Sequence, residues 1–167
     1  MWLLDPALHK VGYGQYCENG ICAAALNIRS GADGAAGAGP IMYPPDRSTI
    51  GNGKFSADEA EWPDPLATCG FHPPTGMPIT LQIGGKAPAR LEAFSLARNG
   101  TAVASCAFDA SSYRSSDPVA AERVKGQLAH FGGIVMVPKE PLVPGATYSV
   151  KIAASGRTFS WWFAVEP

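Results

Sequence analysis

The chain has 167 residues, a formal net charge of −1, 46% apolar and 16% charged side chains. That is enough apolar material for a core of ordinary size; the lack of any basic block argues against a surface that neutralises nucleic-acid phosphates, and no apolar run nears the ~18 residues of a membrane span. The 19 glycines and 15 prolines leave little room for long helices and suit short strands joined by tight turns, so an all-β fold is expected.

In chain order, Gly12–Cys17 and Ile21–Ile28 read as two strands around Asn19-Gly20, a strong two-residue hairpin signal. Cys17 and Cys22 flank that turn and suit a disulfide-closed hairpin. This leaves Cys69 and Cys106 as a second bridge, one of three connectivities open to four cysteines, with free buried thiols as the competing reading. Disulfides imply an oxidising compartment. Yet Met1-Trp2-Leu3-Leu4-Asp5-Pro6 lacks the charged start and the apolar length of a signal peptide. The two observations agree if the chain is the tail of a longer protein, secreted or held at the cell surface. Residues 32–40 are a Gly/Ala linker, flexible by composition.

Residues 41–167 are expected to form a β-sandwich. Ile79–Ile83 alternates apolar and polar, as a half-buried strand does. Leu91–Ala97 and Ala102–Phe108 flank the turn Arg98-Asn99-Gly100-Thr101, and Gly133–Val137 is an apolar run suited to a buried strand. A Pro144-Gly145 turn feeds Tyr148–Ile152, and Phe159–Val165 follows as the last strand. One crossover helix interrupts the strands and is expected over a sandwich edge. Asp117 caps it, Pro118 takes its first position, Val124, Leu128 and Phe131 share a stripe, and Gly132-Gly133 ends it.

Two stretches carry a family resemblance. "LLDPALHKVGYG" and the hairpin after it are similar to the end of a bacterial CAP domain, of the cysteine-rich secretory protein superfamily. "MYPPDRSTIGNGKF…EWPDPL…GMPITLQI…LVPGATYSVKI…FSWWFAV" resembles the immunoglobulin-like sandwich that often follows that domain in bacterial secreted proteins. The resemblance implies an antiparallel immunoglobulin-like sandwich over 41–167 and a CAP remnant over 1–31. The His and Glu residues of the CAP cavity have no counterpart here, so no CAP activity is implied. Where a CAP domain would have packed, Trp2, Leu3, Leu4 and Val11 are expected to drive self-association or to lie against the sandwich.

For chemistry, the densest cluster is Asp58-Glu59-Ala60-Glu61-Trp62-Pro63-Asp64. Two carboxylates beside a Trp are what glycoside hydrolysis uses: an acid, a base or nucleophile, and a stacking face for the sugar. The competing and heavier reading is structural, with Trp62 filling the sandwich while Glu61 and Asp64 hold turn amides. Trp161 and Trp162 should point to opposite faces of one strand, one into the core and one outward as a platform for a ligand or a partner. His72, beside Cys69 in sequence, is the one histidine worth testing as an acid–base partner. No metal-ligand spacing, phosphate loop or nucleophile elbow is present, and no cofactor is expected. The leading expectation is therefore an exported, non-catalytic module for adhesion, spacing or glycan contact. A small glycoside hydrolase and a carbohydrate-binding module are the alternatives.

Overall fold

Short alternating segments punctuated by Gly and Pro build two facing sheets in the computed structural model. It describes residues 40–56, 64–84 and 87–167, and the backbone of two earlier strands. These are β1 (Lys10–Glu18) and β2 (Ile21–Arg29), which pair antiparallel with Cys17 opposite Cys22. The Cys17–Cys22 bridge, the cluster Trp2, Leu3, Leu4 and Val11 and nearly all of the 32–40 linker fall outside the described residues.

The strands that follow are β3 (Ile41–Tyr43), β4 (Ser48–Ile50), β5 (Lys54–Phe55), β6 (Thr75–Gly76), β7 (Ile79–Gln82), β8 (Leu91–Arg98), β9 (Thr101–Ala102) and β10 (Ser105–Phe108). Helix α1 (Pro118–Phe131) then leads to β11 (Gly133–Pro138), β12 (Thr147–Ala154) and β13 (Arg157–Val165). One sheet runs β3-β7-β11-β10, the other β4-β13-β12-β8-β9, and β5 and β6 form a small ribbon. In immunoglobulin lettering β3-β7-β11-β10 are A-B-E-D and β13-β12-β8-β9 are G-F-C-C′, with β4 added at the edge beside G. All the pairs are antiparallel except the edge pair of β4 with β13. The tyrosine corner of that fold is present too: Tyr148, near the start of β12, accepts a hydrogen bond at its hydroxyl from the Val143 amide, 2.8 Å away. Connectivity and corner together make this an immunoglobulin-like sandwich.

Its usual central staple is missing. Val150 stands two residues after Tyr148, where many such domains place a cysteine, and the buried inward residue of the C strand is Leu96 rather than Trp. The core is instead closed by Ile79, Leu81, Ile134 and Met136 from one sheet and by Ile152, Phe159, Trp161 and Phe163 from the other. The disulfide lies elsewhere, joining Cys69, in the chain before β6, to Cys106 on β10.

Three expectations need correction. The strand expected over Ala102–Phe108 is split: β9 ends at Ala102 and pairs with β8, while β10 begins at Ser105 and pairs with β11, so the chain changes sheets at Val103-Ala104. The apparently half-buried Ile79–Gln82 is buried on both faces, because the polar side of β7 (Thr80 and Gln82) also lies under cover. The helix lies over a sheet face, not an edge. Val124 and Leu128 pack with Val135, Val137 and Phe108 in a second core on the outer side of the four-stranded sheet. A sheet with apolar residues on both faces needs a third layer, and α1 supplies much of it.

Local signals for that helix are met in the structure. The Asp117 carboxylate accepts the amides of Val119 and Ala120, Pro118 opens the helix, and Gly132 closes it at φ 57°. The Asn99-Gly100 turn has φ 48° and 85°, as a two-residue hairpin of its type requires. The Asn99 side-chain oxygen also accepts the Thr147 amide at 3.3 Å, which ties this turn to the start of β12.

Candidate functional site

From Thr158 onward the side chains of β13 alternate between solvent and core, and Trp161 and Trp162 part as expected. Trp161 is core, its indole N–H donating to the Pro44 carbonyl at 3.0 Å, and so it offers no ligand face. Trp162 points outward and is 43% exposed, the most exposed Trp, Tyr or Phe among the described residues, ahead of Phe94 at 39% and Tyr43 at 37%. Its backbone is held at both ends by the corner between β3 and β4. The Trp162 amide donates to the Asp46 carboxylate at 3.2 Å, and its carbonyl accepts the Arg47 amide at 2.7 Å. Arg47 reaches this position at φ 60°, and its side chain pairs loosely with Asp46 at 3.6 Å, an exposed contact worth little energy.

The register shows what surrounds the indole. Trp162 sits opposite Ser149, which sits opposite Ala97, which sits opposite Ala102, so one row crosses four strands. The next row along is Ser160, Lys151 and Ser95, and the one beyond it Thr158, Ala153 and Ala93. Small hydroxyl and methyl side chains thus pave the outer face of the five-stranded sheet, with Trp162 and Lys151 rising above it. Such a face is lightly charged and provided with one aromatic plate.

The acidic segment is placed differently. Asp58, Glu59, Glu61 and Trp62 lie outside the described residues. Asp64 is described, and its carboxylate accepts the Leu66 amide at 2.7 Å, a local turn bond. The Tyr113 hydroxyl donates to the Asp64 carbonyl at 3.1 Å. Burial, and then the negative charge of Asp64, push the Tyr113 phenol above its usual value. Leu66 belongs to the core beneath α1, so Asp64 and Trp162 lie on opposite sides of the sandwich. They do not form one site. His72 is exposed in the loop that follows Cys69. Among the described residues no cluster of His, Cys, Asp and Glu is grouped to hold a metal ion, and no helix is long and apolar enough to cross a membrane.

Sequence reasoning missed one charged group. Asp109 is 2% exposed at the end of β10. Its Oδ1 accepts hydrogen bonds from the amides and hydroxyls of Ser111 and Ser112, and its Oδ2 accepts the Leu91 amide at 2.7 Å. Burial alone would raise its pKa, but these hydrogen bonds outweigh it and hold the carboxyl below its ordinary value. The signal in sequence was Asp109-Ala110-Ser111-Ser112, an acid with hydroxyls two and three residues on, as in an Asx turn. No family model matches the chain, and no curated protein matches it.

Proposed function

We propose that the protein is an exported, non-catalytic immunoglobulin-like module that contacts glycans through the outer face of its five-stranded sheet. The observation that carries this reading is Trp162, 43% exposed on a face made, apart from Lys151, of Ser, Thr and Ala. Sugar rings present C–H faces that stack on an indole and hydroxyls that exchange hydrogen bonds with small polar side chains. Asp46, Arg47 and Lys151 supply polar groups around that plate. The Cys69–Cys106 disulfide suits an oxidising, extracytoplasmic setting. The hydrolase reading has less support, since the one described acid of its cluster, Asp64, is bound to a turn amide.

The test is retention of the protein on insoluble polysaccharides, with Trp162→Ala and Asp64→Asn beside the wild type and hydrolysis of chromogenic glycosides followed in parallel. Loss of the indole should weaken binding by about tenfold, the size of one aromatic stacking contact. Asp64→Asn should leave binding unchanged. Retention that survives Trp162→Ala would refute the platform. Hydrolysis abolished by Asp64→Asn would replace a binding module with an enzyme.

A further inference from the structure

A groove lies on the other side of the molecule from Trp162 and does not depend on the glycan reading. It has a volume of about 580 Å³ and lies between the residues leading into β8, the turn after β10 and helix α1. Ala89, Ala110 and Ala129 give it an apolar lining, and Arg90, Lys125 and Glu122 bring charge to it. Its helical wall is a stripe distinct from the core-facing one: Glu122, Lys125, Gly126 and Ala129 follow the three- and four-residue spacing of one helix face.

Three features mark it as built. First, the walls are braced. Asp109 binds the Leu91 amide next to Arg90 on one side and the Ser111 amide and hydroxyl on the other, while the Arg90 amide donates to the Ser155 hydroxyl at 3.0 Å and its carbonyl accepts the Ser155 amide. Second, neither Arg90 nor Lys125 has an ion-pair partner among the described residues, so both cationic heads are available to an anion beside Glu122. Third, Gly126 stands in mid-helix, where glycine costs about 1 kcal/mol against alanine. Neither packing nor backbone geometry demands it, since a Cβ there would meet nothing within 4 Å and its φ is helical. Its bare backbone leaves the helical wall of the groove without a side chain at this point.

We propose that this groove binds a small organic monocarboxylate that also carries a hydrogen-bond donor, as amino acids and hydroxy acids do. The Arg90 fork and the Lys125 ammonium take the carboxylate. Glu122 accepts from the ligand's ammonium or hydroxyl, and the alanines cover its short hydrocarbon body.

The experiment is a titration of the isotope-labelled chain with L-alanine and with L-lactate, followed by amide chemical shifts. Alaninamide and sodium chloride at matched ionic strength are the controls. Saturable shifts confined to Arg90, Ser111, Lys125, Gly126 and their neighbours are expected with both carboxylates and with neither control. Gly126→Leu, which fills the groove and leaves its charges, should abolish them, as should Arg90→Gln combined with Lys125→Gln. Amides elsewhere report whether each variant keeps its fold. No saturable shift with either carboxylate would overturn the proposal. So would equal shifts with alaninamide, or shifts that survive Gly126→Leu in a folded protein.

Discussion

Asp109 shows how one buried carboxylate can be kept charged by its neighbours. Burial disfavours the anion, yet five hydrogen bonds converge on the carboxyl from Leu91, Ser111 and Ser112, and the net effect is a pKa below the usual value. A carboxyl whose folded pKa is depressed adds stability that is complete above the unfolded value of about 3.9. That stability is lost as pH falls through the lower folded value. Asp109→Asn should cost roughly 2–3 kcal/mol near neutral pH, because an amide presents a donor where donors already point. In urea denaturation across a pH series, the gap between wild type and variant should narrow below about pH 4. A gap independent of pH would show that shape rather than charge matters at this position.

Helix α1 is the element whose sequence signals and structure agree most fully, because its determinants are local. A cap, a proline and a glycine act within a turn of their own position. Asp117→Ala should lower stability by about 1 kcal/mol through the loss of its bonds to the Val119 and Ala120 amides. Gly132→Ala should cost more than a cap alone. At φ 57° an alanine is strained, and its Cβ would stand 3.0 Å from the Gly84 carbonyl oxygen. Thermal melts of the two variants, with Gly132→Ala the less stable, would check that order. The β8–β9 hairpin was legible for the same reason, through Asn99-Gly100. The position of the helix was not. A stripe of Val124, Leu128 and Phe131 says that a helix buries one face, but not which sheet receives it. Likewise the Ile79–Gln82 alternation reads as half-buried because sequence cannot show that a second layer covers Thr80 and Gln82. The break between β9 and β10 was hidden by Val103 and Ala104, apolar residues that carry no turn signal. Of the candidate site, the opposed faces of Trp161 and Trp162 follow from strand geometry alone. The groove by α1 comes from three segments distant in sequence, and no local pattern announces it.

At the scale of the whole molecule, the layers differ in what holds them. The two facing sheets share a core of aromatic and branched side chains, with Tyr148 stacked on Phe163 at 5.6 Å within it. The outer layer over the four-stranded sheet has less regular structure: α1, the chain from Asp64 to Phe71 and the turn at Asp109–Tyr113. Irregular chain contributes few backbone hydrogen bonds, so its order depends on side-chain anchors. Leu66, Phe71 and Tyr113 are three, and the Cys69–Cys106 bridge, spanning 37 residues, fastens this layer covalently to β10. A bridge of that span restricts the unfolded chain by about 3–4 kcal/mol on the loop-entropy account, a large share of the ~5–15 kcal/mol that stabilises an ordinary domain. It takes the place of the inter-sheet disulfide of other immunoglobulin domains, but in another location, outside the sandwich core. Its loss should therefore act unevenly. In Cys69→Ser combined with Cys106→Ser, or after reduction, global stability should fall by about 3 kcal/mol. Amide exchange should quicken most in 64–74 and 109–116, while β12 and β13 keep the strongest protection. Uniform loss of protection across both layers would mean that the bridge supports the sandwich as a whole, and that the outer layer is no separate unit of stability.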